Sequence, residues 1–180
     1  MKKVVKFGGS SLASAEQFMK VGAIIRADES RRYVVPSAPG KRFSDDTKVT
    51  DMLYHCYELA EQSKAFNKQL NQIKDRYNEI INGLKLDFSL DEDFEIIKKQ
   101  FVAKAGSMYA ASRGEYLNGK IMAKYLGYEF VDAANVIRFN KDGSFDSETT
   151  NELLATYLDK IERAVIPGFY GAMKNGTVVT

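Results

Sequence analysis

The 180-residue sequence has one cysteine, Cys56, and one histidine, His55, and these two scarcities remove whole classes of chemistry. A lone cysteine excludes an internal disulfide, and the Cys/His zinc patterns need more ligands than the chain has. Adjacent on a helix, His55 and Cys56 point to different sides, so a Cys–His nucleophilic pair is not expected either. Charge of one sign is also missing. Against 26 Lys and Arg stand 24 Asp and Glu, and the resulting +2 leaves no electrostatic footprint for a nucleic acid or an anionic membrane. No apolar run approaches the roughly eighteen residues of a membrane span, and the opening MKKVVKFGGSS turns to glycine too soon for a secretory signal. A reducing, cytoplasmic setting is the expectation. Neither Gly-x-x-x-x-Gly-Lys-Ser/Thr nor Gly-x-Gly-x-x-Gly occurs, so a Walker loop and a Rossmann dinucleotide site have no support. What is present is ordinary globular composition, 44% hydrophobic and 28% charged, which rules out a disordered chain. The length suits one domain, or one large domain caught incomplete, burying roughly 70% of its unfolded surface without a staple.

Val4, Val5 and Phe7 read as a buried strand stopped by Gly8-Gly9. Ser14 with Gln17 three residues later is a capping-box signature for a helix whose apolar side carries Phe18, Val21 and Ile25. Tyr33 to Val35 is a second strand, and Pro36 to Gly40 is a loop by composition. Strand, glycine turn, helix, strand is a βαβ unit and the start of a parallel sheet. From Thr47 to about Lys104 the pattern is almost all helical. Phe66, Leu70, Ile73, Tyr77, Ile80 and Leu84 form one stripe, which fits a coiled-coil arm by spacing but ends at Leu84, so packing on the domain's own body is expected. Phe94, Ile97 and Phe101 mark another helix, and a further one runs from about Ser107 to Leu126 and closes at Gly127. Strands are then expected at Tyr128–Val131, Val136–Phe139 and Val165–Ile166, with a helix through Leu153–Ile161 and a hairpin turn at Asn175-Gly176. The last arm, Thr177 to Thr180, looks cut by the end of the sequence.

Lys6-Phe7-Gly8-Gly9-Ser10-Ser11 offers backbone that a ligand can approach closely, a helix N-terminus for an anion and a lysine as point charge; a plain βα turn with a solvated lysine fits equally well. Ser37-Ala38-Pro39-Gly40, at the end of the second strand, would lie beside that turn, beyond the carboxyl ends of the strands where open parallel sheets bind ligands. The neighbouring Lys41-Arg42 reads better as solvated. Lys48-Val49-Thr50-Asp51 opens a helix. Gly114, inside another helical pattern, gives up about 1 kcal/mol against alanine and needs a reason, either ligand approach or tight packing. Glu115 beside it would hold an ammonium group or be solvated.

Together and in this order these segments resemble the aspartate kinase family of the amino-acid kinase fold. Lys6–Ser11 is similar to that family's opening KFGGSS signature, Ser37–Gly40 to its serine–alanine–x–glycine loop and Lys48–Asp51 to its lysine–aliphatic–threonine segment. Gly114-Glu115-Tyr116-Leu117 resembles its glycine–glutamate motif, and Pro167-Gly168-Phe169 its late glycine–phenylalanine strand end. The resemblance implies an α/β fold, a mainly parallel sheet with helices on both faces, incomplete at the C-terminus, with 1–180 as the amino-acid-substrate part and 61–106 as a helical insertion. It implies transfer of the ATP γ-phosphoryl to the side-chain carboxylate of L-aspartate, the step that leads to lysine, threonine, methionine and diaminopimelate. Lys6 would be the catalytic lysine, with Gly8, Gly9 and Ser10 against the ATP phosphates. Ser37, Thr50, Glu115 and Phe169 would shape the aspartate pocket, with Glu115 facing the ammonium. Mg²⁺ would ride on the phosphates, which asks for no protein metal cage. The implied parent enzyme is a cytoplasmic homo-oligomer without nucleic-acid or membrane partners.

The sequence departs from the family at Asn118, where serine is common, and at its end, which stops before the family's Gly-Arg-Gly-Gly-Ser-Asp segment and its regulatory ACT domains. The 180 residues alone are therefore expected to be inactive as a kinase. The competing expectations are a non-catalytic half-domain that binds aspartate or a kinase subunit, and a sister kinase of the same fold.

Overall fold

Strand β1 (Lys3–Phe7) ends where Gly8 and Gly9 turn the chain into a single 3-10 turn, Gly9–Leu12, in a computed structural model that describes residues 1–180. Helix α1 (Ala15–Arg26) follows, with the Ser14 hydroxyl accepting the Gln17 N–H at 3.4 Å and Phe18, Val21 and Ile25 buried along one side. The chain returns as β2 (Arg31–Pro36), parallel to β1 with Lys6 opposite Val35 and Phe7 opposite Pro36. Helices α2 (Val49–Glu61), α3 (Asn67–Gly83), α4 (Asp91–Val102) and α5 (Ser107–Leu126) come next, the last closed by Gly127 at φ 71°. Strands β3 (Glu129–Phe130) and β5 (Ala164–Val165) complete a parallel sheet of order β1-β2-β5-β3.

Alternation along β2 and β5 divides the apolar residues between two faces. Val34 and Val165 face the helical layer and join a 26-residue core in which Leu70, Ile73, Tyr77 and Ile80 of α3 are buried with Phe94, Ile97 and Phe101 of α4. The stripe on α3 thus packs on the body of the domain, as its termination at Leu84 predicts. Tyr33 and Ala164 face the other way, into a smaller cluster with Val131, Val136 and Ile166, covered by Leu154 and Leu158 of α7 (Ser147–Asp159). Helices therefore lie on both faces of the sheet. Cys56 is buried and His55 exposed, as their adjacency requires.

The expected strand at Val136–Phe139 is shorter. Asp132 caps a one-turn helix, α6 (Ala133–Val136), by accepting the Ala134 N–H at 3.0 Å, and only Arg138–Phe139 (β4) extends beyond it. β4 pairs in parallel with β6 (Gly171–Met173), which pairs antiparallel with β7 (Val178–Val179) across the Asn175-Gly176 turn. Gly176 there has φ 86°, and the Asn175 side chain accepts the Thr177 N–H. No helix is long and apolar enough to cross a membrane.

Candidate active site

At the carboxyl end of β1 and β2 the two glycine-bearing loops interlock backbone to backbone. Ser37 N–H donates to the Phe7 carbonyl at 3.0 Å and Gly40 N–H to the Gly9 carbonyl at 2.8 Å. A Cβ on Gly9 would sit 2.8 Å from the Ala38 oxygen, and one on Gly40 would sit 2.7 Å from the Gly9 carbonyl carbon. Glycine is needed at both positions because each presses on the other's backbone. Gly114 presses on the same loop from α5. Its Cβ would meet that of Ala38 at 2.8 Å, and Tyr77 Oη donates to its carbonyl at 2.7 Å. Tight packing is therefore the reason for a glycine in this helix.

This packing leaves a cleft of about 450 Å³. Glu115 is in its wall, 7% exposed, and one carboxylate oxygen has no hydrogen-bond partner. Burial pushes the Glu115 carboxyl up to about 7, and the Ala38 backbone draws it back only in part. The start of α2 supplies the opposite sign. No side chain caps that helix; Val49 N–H is taken by the Pro39 carbonyl at 3.2 Å, and the N–H groups of Thr50 and Asp51 have no acceptor. Lys41 and Lys48 line the same cleft. A helix N-terminus carries about half a positive charge, so this end favours an anion. The cleft thus matches a small ligand with an ammonium group at one end and a carboxylate at the other.

Of the residues singled out from the sequence, Gly9, Ser10, Ser37, Thr50 and Glu115 line this one cleft. Lys41 is exposed, as expected, at the edge of the same cleft. Gly8 is exposed at the turn and its N–H has no acceptor. Lys6 is exposed and does not line the cleft; its register with Val35 puts it on the far face of the sheet. Phe169 is on that face too, about half exposed at φ 75°, in a separate apolar cavity of about 420 Å³ with Val4, Val35 and Leu158. Beside it, Gly168 N–H donates to the Pro36 carbonyl at 3.4 Å, and a Cβ on Gly168 would meet the Val35 side chain at 3.1 Å.

Two buried residues that matter to the loops were not singled out as site residues. Asn118, one helical turn after Glu115, donates through Nδ2 to the Ser37 carbonyl at 2.7 Å, while its Oδ1 has no partner. Its i, i+3 spacing from Glu115 was a usable signal. Arg76 of α3 binds Asp46 and, at 2.8 Å, the Gly40 carbonyl. Nothing local in the sequence marks it, because its partners are 30 and 36 residues away. No group of three or more His, Cys, Asp or Glu side chains gathers into a potential metal site.

The amino acid kinase family model matches residues 1–179. Aspartokinase 3 of Bacillus subtilis (strain 168) is 34% identical over 192 aligned residues, covering 99% of this chain and 42% of that protein. The crystal structure of Clostridium acetobutylicum aspartate kinase superposes with a TM-score of 0.96 at 49% identity, over 100% of this chain and 42% of that one. E. coli aspartokinase III, solved with aspartate and ADP, shares the fold at a TM-score of 0.81 and 22% identity, over 100% of this chain and 43% of its own. The chain spans less than half the length of these relatives. With a parallel sheet, interlocked glycine loops at its carboxyl edge and a family match over nearly every residue, the chain belongs to the amino acid kinase family.

Proposed function

We propose that these residues form the amino-acid-substrate part of an aspartate kinase. In that reaction a side-chain carboxylate oxygen of L-aspartate attacks the γ-phosphorus of ATP. The bond to the bridging oxygen breaks, ADP leaves, and 4-phospho-L-aspartate forms. The observation that carries the reading is the buried Glu115 carboxylate, short of a partner, in the same cleft as the open N-terminus of α2. An amino acid with a second carboxylate satisfies both ends: Glu115 takes the ammonium, and Thr50, Ser37 and the α2 N–H groups hold the anionic end; Phe169, in its separate cavity on the far face of the sheet, does not line this cleft. The aspartate kinase relatives and the order of the five motifs support the same choice.

ATP fits the exposed turn at Gly8-Gly9-Ser10, where the free Gly8 N–H is available to a phosphate oxygen; Lys6, solvent-exposed at the end of the preceding strand, is given the role of neutralising charge on the transferring group by the motif resemblance, not by any contact with the cleft. Mg²⁺ would arrive with the phosphates and supply charge neutralisation there. The reading carries with it a cytoplasmic, homo-oligomeric enzyme feeding lysine, threonine and methionine synthesis. Calorimetric titration of the natural full-length protein with L-aspartate, L-glutamate and N-acetyl-L-glutamate tests the substrate class. Saturable heat for L-aspartate that weakens at least tenfold in Glu115→Gln is expected. Preference for either of the other two ligands would overturn the assignment.

A further inference from the structure

We infer that Arg76, on α3, is a positioning residue that locks the two glycine loops of the cleft to each other. Its guanidinium reaches both. Nη2 donates to the Gly40 carbonyl at 2.8 Å and, at a longer 3.5 Å, to the Ala13 carbonyl just past the 3-10 turn; Nη1 binds the Asp46 carboxylate. Asp46 also takes Arg42 through Nε at 2.9 Å and Nη2 at 3.1 Å and accepts the Arg42 backbone N–H at 2.9 Å, so the segment after Gly40 is tied at both ends. Gly40 in turn donates to Gly9. One side chain from outside every recognised motif therefore sets the spacing between the turn at Gly9 and the loop at Ser37–Gly40.

A stabilising role is the weaker explanation for this arginine. It is 3% exposed and its Nε has no partner, so the group is buried with a donor unmet. Buried ion pairs of this sort are frequently no better than apolar packing for stability. What a planar guanidinium does better than an apolar residue, or than lysine, is hold several acceptors at fixed angles. Here those acceptors are two backbone carbonyls and a carboxylate on the segments that flank the cleft. The inference rests on the proposed function only for its kinetic arm.

The test uses Arg76→Lys, which keeps the charge but cannot bridge all three partners, and Arg76→Ala in the natural full-length protein. Hydrogen exchange read by mass spectrometry should accelerate in peptides covering residues 8–14 and 37–46 while α3 peptides stay protected. The kcat for aspartate phosphorylation should drop about tenfold to a hundredfold, as expected for misplaced reacting groups. Millimolar methylguanidinium should restore part of the kcat in Arg76→Ala and none in Glu115→Gln. If Arg76→Ala fails to fold, the exchange pattern of Arg76→Lys decides. Unchanged exchange in both loops of a folded variant overturns the inference, as does unchanged kcat where the wild type turns over aspartate. A wild type that neither binds nor phosphorylates aspartate overturns the proposed function instead, and the exchange arm still decides the role of Arg76.

Discussion

Replacing Glu115 with glutamine should stabilise the protein, and only above a definite pH. The buried carboxyl is raised from 4.5 to about 7 because the folded cleft desolvates its charge. In the unfolded chain it ionises near its ordinary value. Between the two, the folded state holds a proton that the unfolded state has lost, so the wild type loses stability as pH rises through this window. A tenfold change in an ionisation equilibrium corresponds to about 1.4 kcal/mol, so raising the carboxyl this far sets a ceiling of about 3 kcal/mol on the penalty above pH 7. Water entering the open cleft reduces it, and about 1–3 kcal/mol is expected. Glutamine has nearly the same shape and no charge to bury. Urea unfolding of both proteins from pH 4 to pH 9 isolates the effect, because every other titrating group is shared. The variant should match the wild type at pH 4, gain through pH 5–7 and level off above pH 7. A difference that is flat with pH, or a variant less stable at pH 8, would refute the reasoning that Glu115 is an unpaired buried acid.

The same carboxyl gives aspartate binding its pH dependence: an ammonium ligand favours the ionised form, so affinity should fall by up to about tenfold for each pH unit below about 7, and a flat calorimetric profile from pH 5.5 to 8 would contradict this. Gly114→Ala should destabilise by about 1–3 kcal/mol despite better helix propensity, because the new methyl meets Ala38 at 2.8 Å; thermal unfolding and aspartate affinity should both decline. Gly40→Ala should weaken nucleotide and aspartate binding together, since its Cβ would strike the Gly9 backbone at 2.7 Å, and loss of only one ligand in paired titrations would oppose the interlocked-loop description. Burial pushes the Cys56 thiol up to about 12, so a disulfide reagent at pH 8 should label it only on unfolding; rapid stoichiometric labelling of native protein would contradict its burial.

Much of the fold follows from local patterns. The Gly8-Gly9 stop, the Ser14 cap, the α3 stripe and the Gly127 terminator are each encoded within a few residues, and each appears where its chemistry puts it. Val136 does not, because β-branched residues suit a strand and the competing Asp132 cap pulls the segment into a helical turn. The site is legible where a motif is also a wall. Ser37, Thr50 and Glu115 come from three segments, and the sheet's carboxyl edge gathers them into one cleft. The reason for Gly114 was open in the sequence and is settled by Ala38, a neighbour 76 positions away in the chain that only the fold brings close. Arg76 was silent for the same reason.

Trapping the acyl phosphate as its hydroxamate is the decisive measurement. The natural full-length protein, given ATP, Mg²⁺ and L-aspartate in the presence of hydroxylamine, should yield aspartyl hydroxamate in a reaction that requires both substrates and collapses in Lys6→Ala and Glu115→Gln. Hydroxamate formation from glutamate or another acceptor in place of aspartate, or aspartate binding with no ATP turnover at all, would rule out an aspartate kinase.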